Sequence, residues 1–193
     1  MYNTDGNLAY QEEPRTEIIG GKLVALAAPS TRHDDAVENI YKIFSNYLRG
    51  KLCRVFASSR AVYMEKGEVY EPDVKVVCDR SKVKPDGIHG TPDLVVEVLS
   101  PSTANRDKGW KMRVYERNGV REYWIVDPIS QSVDQYVLED GRFTLRTSCT
   151  LTEEVNLELL TEERRVLPMK EFPCAIFNDL TISLEKVFSE ENW

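Results

Sequence analysis

Apolar positions along this chain follow two rhythms, and each predicts a different kind of element. Between Thr31 and Gly50 they return every three or four residues, at Val37, Ile40, Tyr41, Phe44, Tyr47 and Leu48, the spacing that lines one face of an α-helix. Pro29, Ser30 and Thr31 open that helix and Gly50 stops it, and its apolar face needs a sheet to pack on. A second helix is predicted from about Ser102 to Asn118, stopped by Gly119. A short amphipathic helix through Leu180, Leu184, Val187 and Phe188 closes the chain.

Elsewhere the apolar residues alternate or run continuously, which reads as β-structure. TEIIGGKLVALAA holds two apolar runs broken by Gly20-Gly21, a hairpin signal. LCRVFAS and RAVYM follow as strands, with EKGE as the exit turn. VYEPDVKVVCD and TPDLVVEVLS read as the next two strands, joined by a polar loop, RSKVKPDGIHG, that carries His89. VREYWIVDP is another strand, SVDQYVLED and RFTLRTS flank an Asp140-Gly141 turn, and VNLELL and RRVLPM extend the β-structure toward the C-terminus. In TPDLVVEVLS, Leu94, Val95, Val96, Val98 and Leu99 are apolar on both faces, the mark of a central strand buried on two sides. Glu97 is the charged residue inside that run.

These elements predict an α/β (α+β) class: a mixed β-sheet flanked by helices, with additional C-terminal β strands. A length of 193 residues favours one core. Residues 1–14 are polar up to Pro14 and read as a loose arm, leaving 15–193 as a single domain.

Composition narrows the class without settling the chemistry. Hydrophobic residues at 41% and charged residues at 30% suit a globular protein and exclude a disordered one. A net charge of −7 argues against a sequence-independent nucleic-acid coat, while leaving room for a local basic cleft. The cysteines, Cys53, Cys78, Cys149 and Cys174, are spaced 25, 71 and 25 residues apart, so no CxxC pair seeds a zinc or redox motif. Three of the four, Cys53, Cys78 and Cys174, sit in apolar stretches (LCRVFA, VVCD, PCAIF) and read as small buried hydrophobes, a pattern that fits a reducing compartment. The N-terminus lacks a basic start and an apolar run, and no stretch approaches the roughly 20 apolar residues that span a bilayer. The expectation is a cytoplasmic protein with no membrane partner.

The chemistry gathers on two strands. Side chains alternate along a strand, so Asp73 shares a face with Lys75 and Val77, and Asp93, Val95, Glu97 and Leu99 share another. If the strands are neighbours, Asp73 and Glu97 can meet across the ~5 Å between them. Two carboxylates that close repel unless a cation intervenes. A hard ion such as Mg²⁺ (or Mn²⁺) takes oxygen ligands, with the Val98 carbonyl as a further one. Asp93 also follows a proline, but four residues from Glu97 is roughly 13 Å along one strand, which gives Asp93 a supporting or capping role. The following helix carries Asp107, Lys108 and Lys111. Lys111 shares a face with Val114 and Tyr115 and therefore points toward the sheet. Lys111 is the candidate cation for stabilising transition-state charge, and Lys108 the second. The bland alternatives are a strand glutamate paired with a buried lysine, and a helix ion pair between Asp107 and Lys111. Arg60 and Lys75 read as solvated strand-surface charges, and Tyr115, Tyr123 and Trp124 as core aromatics.

PDLVVEVLSPSTANRDKGWKMRVYERNGVREYWIVDP, preceded by EPDVKVV and EIIGGKLVALAAPSTRH, resembles the Uma-two family of restriction endonucleases from about Glu17 to Pro128. The resemblance implies a restriction-endonuclease-like fold of the PD-(D/E)XK superfamily and a divalent-metal nuclease site acting on DNA. It assigns the first acid to Asp73 and the second to Glu97. This chain departs from the E-x-K tripeptide, because Glu97-Val98-Leu99 has leucine where lysine is expected. The family's lysine from the next helix then falls on Lys111, and His33 matches a histidine at the first helix. A homodimer, each subunit cutting one strand, follows by analogy. The competing reading is a catalytically inactive nucleic-acid or protein-binding module that retains the fold.

Overall fold

The computed structural model of the protein describes residues 16–19, 22–25, 30–58, 60–64, 67–100, 107–151 and 169–190. In chain order its strands are β1 (Thr16–Ile19), β2 (Lys22–Ala25), β3 (Arg54–Ala57), β4 (Val62–Tyr63), β5 (Val69–Tyr70), β6 (Val74–Val77) and β7 (Val83–Lys84). They continue with β8 (Gly87–His89), β9 (Leu94–Val98), β10 (Glu122–Asp127), β11 (Ser132–Glu139), β12 (Arg142–Thr150), β13 (Glu171–Pro173) and β14 (Thr181–Ser183). Helix α1 covers Thr31–Tyr47, a wide-turned segment Asp107–Lys111 leads into α2 (Met112–Arg117), and α3 covers Leu184–Val187.

The longer strands build a central mixed sheet in the order β12-β11-β10-β9-β6-β3. Within this sheet only β9 and β10 pair in parallel, Val96 facing Trp124, and α2 lies in the crossover between them. A second six-stranded sheet, β2-β1-β5-β4-β8-β7, is made of short strands, and β13 pairs with β14 alone.

Alternation along β9 explains why a continuous apolar run was needed. Leu94, Val96 and Val98 point into one core with Val74, Val76, Trp124 and Val126, packed against α1, α3 and the β13–β14 hairpin. Val95 and Leu99 point into the other, with Tyr123 and Ile125, against Val114 and Tyr115 of α2 and against Val62, Tyr70 and Ile88 of the second sheet. Helix α1 begins where the Ser30 hydroxyl accepts a hydrogen bond from the His33 amide at 3.3 Å. Its Ala36, Ile40 and Phe44 are fully buried, each large side chain contributing roughly 1.5–3 kcal/mol. Gly50, just beyond, has φ 76°, a left-handed conformation that suits glycine.

Several expectations change. VYEPDVKVVCD is not one strand: β5 belongs to the second sheet and β6 to the central one, with the chain crossing between layers at Glu71-Pro72. Proline cannot donate to a ladder, so the break falls there. Lys75 is fully buried rather than solvated. Its ammonium donates to the carbonyls of Ala57 at 2.8 Å, Pro72 at 2.9 Å and Ser58 at 3.4 Å, which bind the crossover to the end of β3. RSKVKPDGIHG is not all loop; it forms a helical turn at Arg80–Lys82 and the β7–β8 hairpin. Gly87 lies so close to β4 that a Cβ would come within 2.7 Å of the Ala61 carbonyl oxygen.

The cysteines are corrected too. The β3–β6 register sets Arg54 opposite Val77, and one rung further on Cys53 and Cys78 form a disulfide. Cys149 and Cys174 remain free and buried. Glu122, buried at the start of β10, accepts from the Trp124 indole at 2.7 Å, the Gln135 amide at 2.6 Å, the Ile176 backbone at 2.9 Å and the Cys174 thiol at 3.4 Å. That carboxylate fastens the C-terminal segment to the sheet. The expected arm at 1–14, the start of the second helix at Ser102 and the strands VNLELL and RRVLPM lie outside the described residues. No helix among the described residues is long and apolar enough to cross a membrane.

Candidate functional site

Strands β6 and β9 are antiparallel neighbours, with Val74 facing Val96 and Lys75 facing Val95. Continued by one rung, that register sets Asp73 across from Glu97, whose side chain lies on the face turned toward α2. Asp73 sits just ahead of β6, where the crossover ends. Its carboxylate accepts a hydrogen bond from the Val98 amide at 2.8 Å, so the side chain, not the backbone, meets β9 at this rung.

Helix α1 reaches the site through its first turn. His33 is buried, its Nε2 3.3 Å from Asp73 Oδ2 and its Nδ1 3.4 Å from Asp34 Oδ1. The cap that starts α1 therefore also aims the imidazole. Glu97 is approached from the opposite side, by the helix that follows its own strand. Lys111 Nζ lies 3.2 Å from each Glu97 oxygen, and the Tyr115 hydroxyl donates to Oε1 at 2.5 Å. Lys111 and Tyr115 are four residues apart, one helical turn on one face, which is why both reach the same carboxylate. The Lys111 and Glu97 side chains are 4% and 3% exposed.

Electrostatics follow from this packing. Burial alone would raise the Asp73 pKa, but His33, the Val98 amide and the Lys111 charge outweigh it and hold the carboxyl below its ordinary value. Burial would likewise lower the His33 pKa, and the Asp73 and Asp34 carboxylates reverse that and raise it. Each group therefore favours the charged form of the other. A basic side chain thus already stands against each acid, His33 against Asp73 and Lys111 against Glu97.

The remaining sequence candidates are placed as follows. Asp93 is at the far end of β9, where it accepts from the Cys78 amide at 2.8 Å and lies 3.5 Å from Arg121. Val98 follows Glu97 in β9. Asp107 and Lys108 open the turn that leads to Lys111, and their side chains lie outside the described ones. His89 ends β8 and contacts both Asp86 oxygens at 3.1 Å. Tyr115 was read as core alone; its spacing of four from Lys111 was the signal that its hydroxyl shares that lysine's partner. Among the described residues no three His, Cys, Asp or Glu side chains cluster as a metal cage.

Comparison with known proteins bears on the family and the fold. Residues 7–170 match the model of the Uma2 family, described as "Putative restriction endonuclease". Two uncharacterized proteins of Synechocystis sp. are similar: one is 33% identical over 137 residues, covering 69% of this chain and 72% of the relative. The other is 26% identical over 130 residues, covering 65% and 73%. A crystal structure described as a putative nuclease belonging to DUF820, from Anabaena variabilis, superposes with a TM-score of 0.69 at 18% identity, over 93% of this chain and 92% of that one. That likeness carries the fold, a nuclease-like mixed sheet with few helices. The matched span takes in α1, the Asp73–Glu97 strand pair and the helix bearing Lys111, and the chain belongs to the Uma2 family.

Proposed function

We propose that the protein is a divalent-metal-dependent endonuclease that hydrolyses phosphodiester bonds in DNA. The observation that supports this most is that two buried acids, Asp73 and Glu97, stand on adjacent strands, with Lys111 returning from the next helix to both Glu97 oxygens. Asp73, Glu97 and the Val98 carbonyl offer an all-oxygen donor set, which fits Mg²⁺ or Mn²⁺. Such an ion supplies Lewis acidity and a lowered water pKa. His33 keeps Asp73 ionised and oriented. Tyr115 fixes the Glu97 carboxylate. Lys111 takes the role of the lysine absent at Leu99: its ammonium holds negative charge beside the acids and stabilises the charge that develops on the phosphate. A homodimer cutting both strands belongs to the same reading.

The test is nicking of supercoiled plasmid with Mg²⁺ or Mn²⁺, comparing the wild type with Glu97→Ala. Loss of nicking in the variant is expected, and equal activity in the two removes the assignment. One observation favours a second reading, a non-cleaving nucleic-acid or protein-binding module: Glu97 is already engaged by Lys111 and Tyr115. Calorimetry separates them, since the module would take up no Mn²⁺ with both acids intact.

A further inference from the structure

The chain carries net charge −7, yet cations gather at the end of β3 and β6 away from Asp73. Lys51, Arg54 and Arg80 rim a cavity of about 480 Å³ there, and its lining contains no acidic residue. Leu52, Val77 and Val83 give it an apolar lining, beside the Cys53 end of the disulfide. Leu52 is 64% exposed, a large aliphatic side chain left open to solvent. A smaller adjoining cavity shares Cys53 and Arg54 and adds Arg49.

Acidic side chains nearby are already committed. Asp179 pairs with Lys51 at 3.5 Å, and Asp79 accepts from the Ser81 amide at 2.9 Å. Arg54 lies over the Phe56 ring, 4.9 Å from its centroid. Among the described residues neither Arg54 nor Arg80 pairs with a carboxylate. A cavity lined by two arginines and by apolar side chains matches a ligand with a flat apolar body and a phosphate, because arginine grips phosphate oxygens with paired donors. The cavity falls within the range typical of small-molecule sites.

We propose that this pocket binds a nucleotide unit, its base on Leu52, Val77 and Val83 and its phosphate on Arg54 and Arg80. Resting on the nuclease reading, the unit belongs to the substrate strand. Asp73 stands four residues along β6 from Val77, roughly 13 Å at strand rise. At about 3.4 Å per nucleotide of one strand, the pocket holds a nucleotide some four positions from the phosphate at the acid pair. It extends the footprint and would favour DNA with an accessible, unstacked base there.

The test measures binding of a short labelled DNA oligonucleotide in EDTA, without cleavage, against Arg54→Gln/Arg80→Gln. An affinity loss of about tenfold or more is expected, with a log–log salt slope shallower by roughly 1–2, and unchanged melting. The charge-matched control Lys22→Gln/Arg146→Gln, at exposed positions elsewhere, should lose far less. An equal loss in the control overturns the pocket, and no loss in the double variant overturns its assignment to the substrate strand. Arg80→Gln alone, expected to lose about threefold, serves if the double variant fails to fold. Calorimetry with deoxyadenosine monophosphate distinguishes the source: uptake lost in the double variant, with oligonucleotide binding unaffected, assigns the same pocket to a free nucleotide. Plasmid nicking is scored separately, so an inactive wild type that loses oligonucleotide binding in the double variant refutes the nuclease reading and keeps the pocket.

Discussion

Lys111→Met is the most informative single change, because it removes the cation that faces both oxygens of a buried carboxylate. At 3.2 Å and an effective dielectric near 20, the gross attraction is about 5 kcal/mol. Desolvation of both groups offsets much of that, but removing one partner strands the other, which costs about 3–5 kcal/mol. Glu97 would be left with the Tyr115 hydroxyl as its remaining side-chain donor among those described above. At pH 7 the variant should lose roughly 3 kcal/mol or more, a fall in melting temperature of about 6–12 °C for a chain of this size. Glu97→Gln should also destabilise, by removing the charge that the buried lysine faces at 3.2 Å. The double variant restores a neutral site of similar shape, so its loss should fall short of the sum by about 2 kcal/mol. Urea denaturation followed by tryptophan fluorescence measures all four proteins. Losses that add within about 0.5 kcal/mol would show that the two side chains are not energetically coupled and would refute the geometry.

Other changes probe separate parts of the molecule. In metal-free protein, NMR should find the His33 imidazole titrating above its ordinary value, and Asp73→Asn should bring it down; no change on that substitution counts against the pairing. The sign is fixed by linkage: the raised imidazole stabilises fully below its unfolded pKa and loses its contribution as pH rises through the native one. The lowered Asp73 contributes above its unfolded pKa and is lost as pH falls through the native one. Their joint support is therefore greatest between roughly pH 4 and 6.5. Thiol titration in denaturant without reductant should find the two free cysteines, Cys149 and Cys174, and none in native protein, where burial raises both thiol pKa values; finding all four would refute the disulfide. Glu122→Ala strands several buried donors, costing on the order of 3 kcal/mol or more. Hydrogen exchange should speed around Ile176 and the β13–β14 hairpin, and unchanged protection there would dismiss the anchor.

How much of this was readable beforehand depended on whether the relevant partner lay within the same run of residues. The two-sided apolar run of β9 marked the central strand and made Glu97 conspicuous inside it, and the three-four spacing from Val37 to Leu48 located α1. The Asp140-Gly141 turn also followed directly, since both residues have positive φ, 50° and 76°, as a tight hairpin turn requires. Pairings set by register were not readable. Cys53 and Cys78 look like independent hydrophobes until β3 and β6 are laid side by side. Lys75 looks solvated until three carbonyls from a neighbouring turn and the Pro72 crossover enclose it. The second sheet was not seen as a separate layer because β5, β7 and β8 run only two or three residues, too short for periodicity to part β5 from β6 or to lift β7 and β8 out of a loop.

The crossover at Glu71-Pro72 ties the acid pair to the architecture of the layers. Tyr70 is held in the second sheet and Val74 in the central one, so Asp73 hangs on the short span between them, whereas Glu97 is embedded in the central sheet alone. A tilt of one layer against the other would carry Asp73 like the pin of a hinge while Glu97 stayed still. Widening the gap for a thick ligand and aligning the two carboxylates would then be a single mechanical event.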